Sequence, residues 1–164
     1  MRTAPYNREK AVAYAHSWAY GRNPAYYNFD KIGGDCTNFV SQCIFSGDAV
    51  MNYTPVLGWY YLGVSKRSPS WTGVEFLYSF ITKNKEAGPF AQEVSVRDIE
   101  PGDFVQLKFG GDSFAHTPFV VKTGSPPDVS NILVAAHTID SDFRPLSSYS
   151  WSDIRYVHIL GIRR

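Results

Sequence analysis

Apolar residues along the chain change their period about halfway. In the first half they recur at helical spacing. Asn7 is positioned to cap a helix that runs through Arg8-Glu9-Lys10 and an Ala, Val, Tyr and Trp-rich stretch to Gly21. Tyr6 and Ala11 flank that cap at hydrophobic-staple spacing. An aromatic loop, Tyr26-Tyr27-Asn28-Phe29, closes in Gly33-Gly34. A second helix is expected after Asp35, through Phe39, Val40, Cys43 and Ile44, to a stop at Ser46-Gly47. Thr72-Gly73-Val74-Glu75 has the pattern of a capping box for a third helix carrying Phe76, Leu77, Phe80 and Ile81. The second half reads as strands rich in Val and Ile: Asp103 to Leu107 after Pro101-Gly102, then Phe119–Lys122, Ile132–His137 and Tyr156–Ile162. Helices first and strands afterwards predict an α+β fold, with N-terminal helices packed on an antiparallel sheet.

Composition narrows the picture. A chain of 164 residues with no repeat and no low-complexity stretch suits one domain, expected over 5–164. Net charge is +1, and Lys66-Arg67 and Arg163-Arg164 are too small a basic footprint for nucleic acid. No apolar run approaches the ~18–20 residues that span a bilayer, and no signal peptide is visible behind Met1-Arg2-Thr3-Ala4-Pro5. Nothing implies an obligate partner, so a monomer is expected. Eleven Tyr, eleven Phe and four Trp serve a core first. Tyr26, Tyr27, Trp59, Tyr60 and Trp71 are also candidates for an exposed groove that binds a peptide or sugar.

The two cysteines differ in setting. Cys36 follows Gly33-Gly34-Asp35 and falls in the first turn of the second helix, where unpaired N–H groups and the positive end of the helix dipole favour a thiolate. A small buried hydrophobe is the competing reading. Cys43 lies mid-helix among Val40, Ile44 and Phe45, as a core residue would. On one helix, seven positions separate the two by roughly 10 Å, beyond the ~7 Å Cα limit for a disulfide.

A thiolate nucleophile needs a base, and the base an orienting group. His116 and His137 bracket an apparent hairpin whose turn lies in Gly124-Ser125-Pro126-Pro127-Asp128. A turn centred at 126–127 places the two imidazoles opposite each other, with Cβ atoms ~5 Å apart. His116 is then the candidate base. His137 is the preferred orienter and Asp140 the competing one, with a plain turn role for Asp140 left open. His16 and His158 read as structural. Cys36, His116, His137 and Asp140 would also make a zinc set, but no closely spaced ligand pair anchors it, and neither metal nor organic cofactor is expected.

These residues resemble a known family. Gly34-Asp35-Cys36-Thr37-Asn38-Phe39-Val40-Ser41-Gln42-Cys43 is similar to the nucleophile helix of the bacterial putative amidase domains. The likeness continues through Trp59-Tyr60-Tyr61, Ser68-Pro69-Ser70-Trp71-Thr72-Gly73, Pro101-Gly102-Asp103, Ala135-Ala136-His137-Thr138 and Arg144-Pro145-Leu146-Ser147-Ser148-Tyr149. The Asp-Cys helix, the Pro-Gly-Asp strand and the following His strand also look like NlpC-type and CHAP cell-wall peptidases. The resemblance implies a papain-like cysteine hydrolase fold, with Cys36 as nucleophile, His116 as base, and His137 or Asp140 as the orienting group. It implies amide hydrolysis through a thioester, a peptide or peptidoglycan-like substrate, and an extracellular or cell-wall location for a mature protein without its leader. Acyl transfer at the same site and a catalytically silent cell-wall binding module are the alternatives. One departure stands out: Thr117-Pro118 follows His116 where the family has Ser, and Pro118 implies an edge position or a bulge.

Overall fold

The computed structural model describes residues 1–164. In chain order the elements are β1 (Thr3–Ala4), α1 (Arg8–Trp18), α2 (Cys36–Ser46), β2 (Tyr61–Gly63), β3 (Lys66–Arg67), α3 (Pro69–Thr72), α4 (Val74–Lys83), β4 (Gly88–Val94), β5 (Phe104–Lys108), β6 (Phe119–Lys122), β7 (Leu133–Ala136), β8 (Ser141–Pro145) and β9 (Asp153–Arg163). Seven strands form one antiparallel sheet in the order β1-β9-β5-β6-β7-β8, with β4 on the other side of β9. The expected helices-then-sheet architecture is therefore present. Strands β4 and β8, and the short strands β1, β2 and β3, lie outside the expected set.

Local chemistry explains the helix ends. Asn7 caps α1 by accepting a 3.1 Å hydrogen bond from the Lys10 N–H. Tyr6 and Ala11 are both buried in the main core, as a staple requires. The capping box expected at Thr72 does not form. Gly73 occupies the cap position of α4, and the Thr72 hydroxyl instead accepts from Arg67 Nε at 3.1 Å.

The central strands are buried on both faces, so their residues alternate between two cores. Phe104, Phe119 and Ala135 face the main core with Phe39, Val40, Cys43 and Ile44 of α2. Val105, Leu107, Val120 and Val134 face a smaller core closed by Ile99, Ile132 and Leu146. Cys43 is fully buried and Cys36 nearly so, and both are free thiols.

The Pro-Gly-Asp segment binds helix to sheet. Asp103 is fully buried at the start of β5 and accepts from Arg8 Nη1 (2.8 Å), the Ile159 N–H (2.9 Å), the Glu100 N–H (2.9 Å) and His158 Nδ1 (2.8 Å). Four donors from α1, β9 and the preceding turn thus satisfy one buried carboxylate. The Tyr6 hydroxyl adds a bond to the Gly102 carbonyl at 2.8 Å.

This cluster generates a pH-dependent stability. The hydrogen bond to Asp103, reinforced by its charge against a smaller effect of burial, raises the His158 pKa. The stabilisation is therefore complete below the unfolded value of ~6.5 and lost as pH rises through the folded value. Urea unfolding should show that His158→Gln costs more stability near pH ~5.5 than near pH ~9. Asp103→Ala should cost about 3–5 kcal/mol, because it strands Arg8 and His158 without their partner.

Candidate functional site

The start of α2 is organised by Asp35. This residue sits at the cap position, but its buried carboxylate makes no capping bond to the helix N–H groups. Oδ1 accepts from the Phe29 N–H (2.8 Å) and from Asn38 Nδ2 (2.9 Å), and Oδ2 meets His137 Nδ1 at 2.5 Å with Arg22 Nε 3.5 Å away. Burial alone would raise the Asp35 pKa. The bonds from His137, Asn38 and Phe29 outweigh it and hold the carboxyl below its ordinary value. Gly33 and Gly34 precede it at φ of 80° and 96°, a backbone region that Gly enters without the strain a Cβ brings. The first turn of α2 is thus left free of its own cap, with Cys36 in it.

The strand that carries His116 reaches this helix end. His116 pairs with Leu107 in an isolated bridge, and the regular ladder resumes only at β6. Pro118, which has no N–H, lies in the gap. Since β6 is flanked by β5 and β7, this is not an edge, and β5 keeps its register across it, with the Val105 N–H donating to the Pro118 carbonyl at 3.0 Å. The Thr117 hydroxyl lies 2.9 Å from that of Thr37, and the Thr37 hydroxyl lies 3.8 Å from the Cys36 sulfur. Gln106 and Arg155 continue the chain of bonds away from the site. Thr37, next to Cys36, and Thr117, next to His116, are thus in contact, which joins the start of α2 to the strand that carries His116.

Their electrostatics differ from the sequence expectation of a thiolate. Burial raises the Cys36 pKa, the N–H groups of Thr117 and Thr37 and the Thr37 hydroxyl act against that rise, and the Asp35 charge adds to it. Burial, with the Arg144 charge behind it, lowers His116 to about 4. Both shifts favour the neutral forms, thiol and imidazole, at neutral pH.

Neither orienting candidate faces His116. His137 gives Nδ1 to Asp35 and Nε2 to the Trp18 carbonyl (2.8 Å), at the end of α1, and stacks on Phe39 with ring centroids 4.0 Å apart. Both of its nitrogens are taken. The cause is register: Phe119 pairs with Ala135 and Val120 with Val134, which carries Thr117, and not His116, opposite His137. One step along a strand reverses the face. Asp140 is held by Arg22 through two bonds of 2.9 and 3.0 Å. With His137 and Asp140 so engaged, the zinc set does not assemble, and no group of three or more His, Cys, Asp or Glu side chains has an arrangement that could hold a metal ion.

The aromatic groove also needs correction. Trp59 and Trp71 are fully buried, and their indole N–H groups donate to Ser41 Oγ (3.1 Å) and Asn38 Oδ1 (3.0 Å), against the back of α2. Tyr26 packs on Tyr61 and Trp71, and Tyr60 is half-buried beside Tyr53. Only Tyr27 of the five is exposed, and its carbonyl accepts from Asn38 of α2. His16 binds Asp142 (2.8 Å) and stacks on Phe143, and His158 belongs to the Asp103 cluster, so both are structural.

Two residues outside the sequence candidates border the pair. Tyr149 lies 5.5 Å from His116 between ring centroids, and Arg144 lies 3.6 Å over the Tyr149 ring. Both lie in the Arg144–Tyr149 stretch that carries the family resemblance, but nothing in their spacing gives them a role at the site.

No helix is long and apolar enough to cross a membrane. No solved structure matches the chain. The uncharacterized protein YhbB of Bacillus subtilis (strain 168) is 36% identical over 146 residues, which cover 87% of this chain and 45% of YhbB. The chain thus spans less than half the length of that relative. The model of the family described as "Putative amidase domain" matches residues 5–160, nearly the whole length, and the chain belongs to that family.

Proposed function

We propose that Cys36 and His116 are the nucleophile and base of a cysteine amide hydrolase with a papain-like arrangement of helix and sheet in one domain. The observation that carries this reading is the contact between the α2 start and the His116 strand, where the hydroxyls of Thr37 and Thr117, the residues that follow Cys36 and His116, lie 2.9 Å apart. Membership of an amidase family and a helix-start cysteine beside a histidine strand both favour it.

The chemistry follows from the neutral pair. His116 removes the thiol proton as the sulfur attacks the amide carbon, so proton transfer accompanies attack. The uncapped first-turn N–H groups of α2, that of Cys36 among them, are placed to receive the developing oxyanion. The imidazolium then protonates the leaving nitrogen, the C–N bond breaks, and a thioester remains on Cys36. Water, deprotonated by His116, releases the acid and restores the thiol. Burial with weak local competition keeps His116 available as a base across the physiological range, which compensates in part for an imidazole of low basicity. Peptide or peptidoglycan-like amides at an extracellular or cell-wall location are the substrate class that the sequence resemblance favours.

Two outcomes test this. Product mass spectrometry on purified peptidoglycan and on peptide amides should detect cleavage by the wild type. Cys36→Ala should reduce it by at least about 10³-fold with the melting temperature unchanged. Turnover retained by Cys36→Ala would contradict the assignment. The acidic limb of kcat/KM should fall near pH 4, where His116 titrates, well below the ordinary histidine value of ~6.5. A limb at the ordinary value would show that His116 is not the group that must be neutral.

A further inference from the structure

A pocket of about 250 Å³ opens directly against His116. Its polar lining beyond the histidine is Thr138, Arg144 and Tyr149, its apolar lining includes Phe109 and Ile139, and no acidic side chain enters it. The Arg144 guanidinium is fixed by its stack on Tyr149 and by a 2.8 Å bond from Nε to the Ser148 hydroxyl. It takes part in none of the ion pairs of the protein. The Tyr149 hydroxyl is buried and has no hydrogen-bond partner. Thr138 places its hydroxyl 3.6 Å from the point where a side chain on Gly34 would begin, so the pocket borders the segment that leads into Cys36.

The wall of this pocket is held in a costly shape. Thr138 and Ile139, both β-branched, adopt φ of 65° and 58°, and Ile139 is exposed. Such conformations persist where surroundings impose them. Here Arg22 clamps Asp140, His16 clamps Asp142, and the Tyr20 hydroxyl accepts from the Asp142 N–H at 3.1 Å. Asp140, expected from sequence to orient the base, thus supports the pocket wall instead.

We propose that this pocket is a carboxylate subsite formed by Arg144, the Tyr149 hydroxyl and the Thr138 hydroxyl, and that the amide substrate carries a free carboxylate within one residue of the bond that is cut. A fixed guanidinium without a carboxylate of its own, a buried phenol without an acceptor and a nearby hydroxyl supply donors and positive charge to a space that contains no competing anion. The inference deepens the amide-hydrolase reading of Cys36 and His116 by naming what the substrate presents beside them. It also couples binding to basicity. A carboxylate on Arg144 offsets the charge that opposes protonation of His116, so the bound substrate makes its own base stronger.

The test separates binding from turnover. Cys36→Ala protein is titrated by NMR with N-acetylglycine and with N-acetylglycinamide, which differ in the carboxylate alone. N-acetylglycine should bind at least about tenfold more tightly and should raise the pH at which His116 titrates. Adding Arg144→Gln should remove both effects. Tyr149→Phe, which keeps the ring and its stack, should weaken N-acetylglycine alone. Equal binding of the two probes, binding of neither, or a preference that survives Arg144→Gln would overturn the subsite. Failure of the wild type to hydrolyse any amide would instead strike the hydrolase reading, and it does not enter this titration.

Discussion

The contact between Asp35 and His137 governs the candidate site. It joins residues 102 positions apart, both buried, and each brings other parts of the chain with it. Asp35 holds the Phe29 N–H and the Asn38 side chain, which fixes the loop before α2 and its first turn. His137 holds the last carbonyl of α1 and the face of Phe39. A buried carboxylate is tolerated only when its lone pairs are occupied, and this one is fully occupied without using the N–H groups of its own helix. A residue at a cap position that does not cap leaves the first-turn N–H groups at Cys36 without a side-chain cap.

The sheet makes the complementary contribution. Pro118 cannot donate to a ladder, although its carbonyl still accepts from the Val105 N–H of β5. The hydroxyl of Thr117, beside it, meets that of Thr37 at 2.9 Å. A helix start without its cap and a strand position without a donor therefore lie against each other. Burial then decides the resting state. It raises the thiol and lowers the imidazole more strongly than the neighbouring donors favour charge, so the pair rests neutral.

Sequence reasoning reached what local pattern encodes and lost what distant partners decide. Asn7, the apolar spacing of α2 and α4, and the Val and Ile of β5, β6, β7 and β9 carry their own signals, and those elements are present. Strand β4 (GPFAQEV) opens in Gly-Pro, and β8 (SDFRP) is polar; each gains its place from a neighbouring ladder and not from its own composition. Thr72 shows a capping pattern, but Arg67 claims its hydroxyl. The pairing of His116 with His137 was one register step from the actual ladder, and one step exchanges faces. Trp59 and Trp71 carry no mark that separates a groove from a core until α2 is seen packed against them. The helix start at Cys36 and the strand after His116 were legible because both signals are local. The place of Arg144 and Tyr149 beside His116 was not, although both lie in the stretch that carries the resemblance, since only the fold brings them to the histidine.

The central claim is that Cys36 and His116 form a neutral nucleophile–base pair, and the alkylation rate of each cysteine against pH tests it most directly. Mass spectrometry of the wild type and of His116→Ala resolves Cys36 from Cys43 without knowledge of the substrate. The account predicts that Cys36 reacts while Cys43 does not and that its rate still climbs above the ordinary thiol value of ~8.5. It also predicts that loss of His116 slows it about 10²-fold at neutral pH. A rate that stays flat down to the pH at which His116 titrates would reveal a resting thiolate–imidazolium pair. A Cys36 profile indifferent to His116 would mean that the two residues are neighbours without being partners.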